Sequence, residues 1–276
     1  MTSTNDGWHD ESEKRFQQME IFDYFDLIKS IDLPNNATVD LAIDLFSIYK
    51  HCTTNGLHFD PNDFLDNLIG EFGENGNILI RAFNWDWCHG SAFDIRKTIS
   101  QAGALGTIAL KRDDFIRTMH PIYSWMVYGR DAEMLSQKNY KEAFCQKSIF
   151  AWEEANDNAF QVNIGDLQSN GITLFHYMEK KMEVSYRYTK DFTGEYIGYD
   201  GECNLKTYSM YVRNLDYDIK TDDNVYNKEL INSGILQKKE YQGINISVYK
   251  IKELCSFYEK DFLNNITPSA VTISPI

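Results

Sequence analysis

Asp60-Pro61-Asn62-Asp63-Phe64-Leu65-Asp66-Asn67-Leu68-Ile69-Gly70-Glu71-Phe72-Gly73-Glu74-Asn75-Gly76-Asn77-Ile78-Leu79-Ile80-Arg81-Ala82-Phe83 is the stretch on which the fold turns. Asp60 is suited to cap a helix, Pro61 fits a first turn, and Asp63 complements the helix dipole. Phe64, Leu65, Leu68, Ile69 and Phe72 follow as the apolar side of that helix, and Gly73 and Gly76 stop it. Asn77 to Phe83 then reads as a buried strand. Helix, glycine turn and apolar strand in succession are the local grammar of an α/β fold.

Upstream, Phe16, Met19, Phe22, Phe25 and Ile28 recur at helical spacing and predict a helix from Phe16 to Ile31. Residues 1–14 are polar and expected to fray. Val39 to Tyr49 is apolar and reads equally as strand or helix. Downstream, Gly103 to Thr107 reads as a loop entering a short helix at Ile108–Lys111. The apolar run from Ile116 to Val127 is broken at His120-Pro121, because the proline biases His120 to an extended backbone. Arg130 to Ala159 reads as loops with helical pieces, Gln161 to Gly165 as a strand and Thr173 to Val184 as a helix. Beyond Tyr186, strands are expected at Tyr208–Arg213 and Ile244–Tyr249, with a helix from Ile251 to Phe262. The expected architecture is α/β, a mixed central sheet flanked by helices, with all 276 residues in a single domain.

With 43% hydrophobic residues, the chain has enough apolar material for a sizeable core. It has no apolar run of about 20 residues, so no membrane span is expected. The first residues lack the basic start and apolar run of a secretory signal. Cys52, Cys88, Cys145, Cys203 and Cys255 are scattered, with no CxxC pair, so neither a disulfide framework nor a zinc ribbon is indicated. A reducing cytoplasm fits. The formal net charge of −14 argues against nucleic acid and anionic membranes as partners. It is compatible with a cationic substrate, though most of it reads as solubility.

Three constellations can carry chemistry. In Arg117-Thr118-Met119-His120-Pro121-Ile122-Tyr123-Ser124, an imidazole, a hydroxyl and a guanidinium lie close enough to orient a donor or bind a phosphate. A buried loop histidine satisfied by a backbone carbonyl would look the same. In Thr173-Leu174-Phe175-His176-Tyr177-Met178-Glu179, helical spacing puts Thr173, His176 and Glu179 on neighbouring positions of one face. A carboxylate beside an imidazole stabilises its charged form, which makes a general base. An ordinary exposed His/Glu pair has the same spacing. In Asn84-Trp85-Asp86-Trp87-Cys88-His89-Gly90, followed by Phe93-Asp94, aromatic rings and carboxylates at a strand end suit a polyol or amino sugar. An aromatic core edge with surface acids is the bland equivalent. No GxxxxGK[ST] loop, GxGxxG turn or GxSxG elbow occurs. A metal set drawn from His120, His176 and Glu179 gains little from the spacing, and none is expected.

Taken together and in this order, the motifs resemble the aminoglycoside 3-N-acetyltransferase family. Its pattern, Arg-Ser/Thr-x-His-Pro-x-x-Ser, then a strand ending in Gly, then Asn-x-x-Thr-x-x-His-x-x-Glu, is met by Arg117, Thr118, His120, Pro121 and Ser124, then Gly165, Asn170, Thr173, His176 and Glu179. Phe83-Asn84-Trp85-Asp86 and Phe93-Asp94 look like the family's substrate-side loop. The resemblance runs over about residues 38 to 260. It departs at Ile43-Asp44-Leu45-Phe46-Ser47, where the family carries a histidine, at Lys97-Thr98-Ile99-Ser100, which lacks a proline, and at Gly103-Ala104-Leu105-Gly106-Thr107, which lacks an acid.

The resemblance implies acyl transfer from acetyl-CoA to an amino group of an aminoglycoside or other amino sugar, in a ternary complex. In it His176 would be the base and Glu179 its orienting partner. His120, also catalytic and sharing one cleft with His176, would with Ser124 hold the thioester carbonyl or the pantetheine arm, and Arg117 and Thr118 would bind the coenzyme beside Ser124. Trp85, Asp86 and Asp94 would bind the acceptor. A nucleotide-linked amino sugar is an alternative acceptor. A binding protein that kept the fold without turnover, and a metal-dependent hydrolase, are the rival classes. A homo-oligomer is left open.

Overall fold

The computed structural model describes residues 20–167 and 173–275. The expected core positions Phe16 and Met19, and the motif residue Asn170, lie outside them.

The quoted stretch forms as read. Asp60 accepts a hydrogen bond from Asn62 N at 2.7 Å and caps the helix Pro61–Leu68. A π turn, Ile69–Gly73, closes it, and the strand Asn77–Arg81 follows. Gly76 sits where a Cβ would fall 2.1 Å from the Ala37 carbonyl, so only glycine lets the turn press against the neighbouring strand.

That strand lies within a seven-stranded mixed sheet. Its order is Leu236–Tyr241, Ile244–Lys250, Ala159–Ile164, Thr38–Ile43, Asn77–Arg81, Trp125–Gly129 and Ile116–Arg117. The middle three strands are parallel, and every outer pairing is antiparallel. The period-2 alternation of strands sends successive side chains to opposite faces. Ile78 and Ile80 enter one core cluster with Val39, Leu41, Val162 and Ile164, while Leu79 enters the other with Trp125 and Val127. Helices cover both faces. Tyr24–Ile31, Leu45–Thr54 and Pro61–Leu68 pack on the first cluster, and Ile149–Ala155, Thr173–Lys181 and Ile251–Asn264 on the second.

The second face also buries polar groups. Arg81 and Asp40 form a bidentate pair (Nη2 to Oδ2 2.6 Å, Nε to Oδ1 3.1 Å) among buried Gln161, Asn163 and Glu153. Burial, with the Asp40 charge beside it, raises the Glu153 carboxyl well above the usual carboxylate range.

Three elements change or sharpen the sequence reading. Of the helix expected from Phe16 to Ile31, the described residues form Tyr24–Ile31, which Asp23 caps by accepting from Asp26 N at 2.9 Å. Phe22 N instead donates to the His58 carbonyl, and Glu20–Ile21 pairs with Leu57–His58 as a short ribbon. The register follows, with Tyr24, Leu27, Ile28 and Ile31 buried and Phe25 59% exposed. The ambiguous Val39–Tyr49 run is both things in turn: strand to Ile43, then helix from Leu45, divided by Asp44 as N-cap. The short helix expected at Ile108–Lys111 forms earlier, at Ala104–Ala109.

A second, three-stranded sheet carries a long hairpin. Arg187–Ile197 pairs antiparallel with Cys203–Arg213 over its whole length, and Phe93–Asp94 adds in parallel to its far end. This hairpin stands beside the helix Thr173–Lys181 and supplies the wall on which the site depends.

Candidate active site

The parallel strands end at Ile43, Arg81 and Ile164, and the loops beyond such ends are where α/β folds gather ligand-binding groups. Gly165, directly after one of them, has φ +90°, and a Cβ there would meet Ser47 Oγ at 2.7 Å and Asp44 Cβ at 3.2 Å. The helix Thr173–Lys181 follows that loop.

On this helix His176 and Glu179 lie one turn apart. His176 Nδ1 is 2.7 Å from Glu179 Oε2, the imidazole is 35% exposed, and the carboxylate is fully buried. Arg187, first residue of the long hairpin, brings Nε to 2.7 Å from the same Oε2. Burial alone would raise the Glu179 pKa. The hydrogen bond and charge of His176, with the charge of Arg187, more than offset it and hold Glu179 below the usual carboxylate range. An ionised carboxylate only accepts, so His176 Nδ1 carries a hydrogen, and in the neutral form of the ring Nε2 has the lone pair. Burial and the neighbouring Glu179 charge push the Tyr186 phenol up.

His176 lines a cavity of about 950 Å³ between this helix, the hairpin and Trp85. Tyr123, Phe192 and Met210 contribute apolar wall, and Thr173 lies at the helix start. His89 also lines it, its Nδ1 2.9 Å from the Trp85 carbonyl.

His120 does not line this cavity. It is 1% exposed, stacked on Tyr140 with centroids 5.4 Å apart and met edge-on by Tyr208 at 5.1 Å. Its Nδ1 accepts from Tyr123 N at 3.2 Å. Burial pushes its pKa down to about 3, opposed only weakly by the Lys141 backbone. The expectation that two imidazoles share one cleft therefore gives way. One faces the cavity, and the other is a neutral ring in the aromatic core behind Tyr123.

The three residues expected to hold the coenzyme are also turned inward. The buried Arg117 guanidinium donates to Ser124 Oγ at 3.0 Å, to the Ala82 carbonyl at 2.8 Å and to the Thr98 carbonyl, and lies 4.7 Å over the Phe93 ring. Burial pushes its pKa down to about 10. Ser124 Oγ donates to the Ala82 carbonyl at 2.9 Å, and Thr118 Oγ1 accepts from Trp125 N at 2.9 Å. Together they clamp the strand pair Ile116–Arg117 and Trp125–Gly129 to the 82–98 segment. All three side chains are buried and already bonded within the protein.

Of the acceptor-side candidates, Trp85 lines the cavity. Asp86 is exposed beside it, accepting from Gln101 Nε2 at 2.8 Å, while Gln101 Oε1 accepts from Trp85 N. Asp94 lies away from the cavity lining and grips Arg96 through both carboxylate oxygens at 3.0 Å, which holds its pKa below the usual range. Asp44, in the stretch read above as departing from the family pattern, accepts from Phe46 N and Ser47 N through its carboxylate, both at 3.1 Å. Among the described residues, no group of three or more His, Cys, Asp or Glu side chains is gathered as metal ligands are, and no helix is long and apolar enough to cross a membrane.

Sequence reasoning missed Arg187. Its role depends on the turn after Lys181 bringing the hairpin back onto Glu179, and nothing in the spacing announces that return.

The family model described as aminoglycoside 3-N-acetyltransferase matches residues 54–262. No curated protein sequence matches the chain significantly. Among solved structures, aminoglycoside acetyltransferase AAC(3)-Xa is similar at a TM-score of 0.69 and 17% identity, covering 91% of this chain and 96% of its own. AAC-IIIb, solved as a binary complex with CoASH, reaches 0.69 at 13% identity, covering 87% and 96%. AAC-VIa bound to sisomicin reaches 0.66 at 16%, covering 85% and 93%. The model spans most of the sequence and the shared fold extends over nearly all of it, so the chain belongs to the aminoglycoside 3-N-acetyltransferase family.

Proposed function

We propose that this chain transfers the acetyl group of acetyl-CoA to an amino group of a sugar-like acceptor, with His176 as general base. The observation that carries the reading is the 2.7 Å contact between Nδ1 of the cavity-lining His176 and a buried, ionised Glu179, which leaves Nε2 as the ring nitrogen outside that contact. Support for the donor comes from the family and from a relative of the same fold, AAC-IIIb, solved with CoASH. Support for an amino sugar comes from AAC-VIa, solved with sisomicin.

In the ternary complex the acceptor nitrogen attacks the thioester carbonyl. A C–N bond forms and the C–S bond breaks. His176 Nε2 takes the proton from the attacking nitrogen and returns it to the leaving thiolate. Glu179 stabilises the imidazolium between those events, and Arg187 keeps Glu179 ionised and fixed. A thioester is already activated, so no covalent enzyme intermediate is required. His120 takes no part, because its ring is sealed from the cavity. Asp94 is likewise left out, and Trp85 and Asp86 stand at the acceptor edge.

The test is release of free thiol from acetyl-CoA in the presence of aminoglycosides and of nucleotide-linked amino sugars. Acceptor-dependent release with a mass gain of one acetyl group supports the reading. Tight binding of the coenzyme with no release under any acceptor would instead make the chain a binding protein.

A further inference from the structure

The charge of the cavity is opposite to that of the molecule. The chain carries 41 acidic and 27 basic residues, yet Arg187, Lys190, Arg213, Lys220, His89 and His176 all line this cavity, and among the described residues no aspartate or glutamate does. Of the four Arg and Lys side chains among them, two are compensated, Arg187 by Glu179 and Lys220 by Asp218 at 3.2 Å. Lys190 and Arg213 have no carboxylate within salt-bridge distance among the described residues. Lys190 instead lies 5.2 Å over the Phe192 ring, and Arg213 donates to the Ile219 carbonyl at 3.1 Å. A hollow of about 950 Å³ with this lining attracts anions and repels a ligand carrying several ammonium groups.

Resting on the acetyltransferase reading above, we propose that the acceptor is a phosphate-bearing amino sugar, phosphorylated or nucleotide-linked, and not a polycationic aminoglycoside. The base fixes whose phosphate this is. His176 must reach both the acceptor amine and the thioester sulfur, so in this proposal the acceptor sits in the cavity that His176 lines and only the thioester end of the coenzyme meets it there. The coenzyme's own phosphates lie a whole pantetheine arm from its thioester, and are remote from His176 when that thioester is within reach of the amine. The aromatic rings of Trp85, Tyr188 and Phe192 give a sugar ring or base a face to stack on, and Lys190 and Arg213 give the phosphate its counter-charge.

The experiment pairs binding with turnover. Calorimetry on the wild-type protein uses four probes: glucosamine, glucosamine 6-phosphate, a uridine-diphosphate-linked amino sugar and sisomicin. Thiol release from acetyl-CoA is measured with the same four. The expected result is binding and acetylation of one or both phosphate-bearing sugars, with sisomicin at least tenfold weaker. Exchanging exposed Lys190 and Arg213 for Ala together should weaken binding of the phosphate-bearing sugar by about ten- to thirtyfold, since charge-assisted contacts to phosphate are lost. The KM for acetyl-CoA should not change. Preferred binding of sisomicin overturns the proposal and leaves the acetyltransferase reading intact. So does a raised KM for acetyl-CoA in the double variant with acceptor binding unchanged, because the cations would then serve the coenzyme. Preferred binding of the phosphate-bearing sugars with no thiol release from any probe upholds the anionic site and overturns the acetyltransferase reading alone. No binding of either phosphate-bearing sugar overturns the proposal.

Discussion

His176 Nδ1 and Glu179 Oε2 lie 2.7 Å apart across one helical turn, the ring partly in solvent and the carboxylate wholly out of it. Such a pair is asymmetric. The carboxylate gives up hydration and is held charged by the imidazole and by Arg187, so its loss is felt in stability as well as in rate.

Glu179→Gln should therefore lower kcat by about 10- to 100-fold, within the range general acid–base assistance contributes. It should also lower stability by about 3–5 kcal/mol at neutral pH, since Arg187 is left nearly buried without its counter-charge. The sign with pH is fixed by the depressed pKa of Glu179. A group with a lowered folded-state pKa stabilises above its unfolded value and loses that contribution as pH falls through the folded one. The gap between wild type and variant in urea unfolding should close from about pH 4 downward. A gap that stays constant to pH 2 would deny Glu179 its charge.

His120 gives the second pH signature. Its folded pKa of about 3 lies far below the ordinary imidazole value of about 6.5. Between those values the unfolded chain takes up a proton that the folded chain refuses. Wild-type stability should fall as pH drops through this window, by on the order of 1.4 kcal/mol per pH unit from this residue. His120→Gln should flatten that part of the slope. Its turnover per folded molecule at neutral pH should stay within about threefold of wild type, as for other substitutions away from the chemistry. An unchanged slope would place a water or a charge beside His120.

Arg117→Met removes a buried guanidinium that serves Ala82, Thr98 and Ser124 at once. Leaving those groups without donors should cost about 3–5 kcal/mol, read as a lowered thermal midpoint. The KM for acetyl-CoA should hold within about twofold in the folded fraction, a change of under 0.5 kcal/mol. A tenfold rise in that KM without loss of stability would return Arg117 to the coenzyme site.

Asp94→Asn should do little. Its bond to Arg96 is a partly exposed pair, worth about 0–1 kcal/mol. Acceptor KM should be unaffected, and a rise of tenfold or more would bring Asp94 back to the acceptor.

What the sequence announces and what it conceals divide along local and non-local physics. Asp60-Pro61 marks a helix start because capping is a matter of neighbouring residues, and the strand at Asn77–Arg81 follows from a short apolar run. The His176–Glu179 contact is legible because three residues along a helix is a fixed distance. Burial is not local. Arg117, Thr118, His120 and Ser124 form a motif by spacing, and nothing in spacing says that Tyr140, Tyr208 and Phe93 close over them. Arg187 reaches Glu179 only through the path of the chain between them. The basic lining arises from a hairpin with strands of eleven residues each, where Lys190 stands opposite Met210 on one face and Arg213 opposite Arg187 on the other, and both reach the cavity lining.

The central claim, that the cavity-facing imidazole is the base and the buried one is not, is tested most directly by the turnover of His176→Gln beside His120→Gln, both checked for folding, with acetyl-CoA and whichever acceptor the wild type acetylates. His176→Gln should lose about 10²- to 10⁴-fold in kcat with its thermal midpoint little changed, the span expected for a missing general base. Full activity in His176→Gln, or a comparable loss in a folded His120→Gln, would contradict the account.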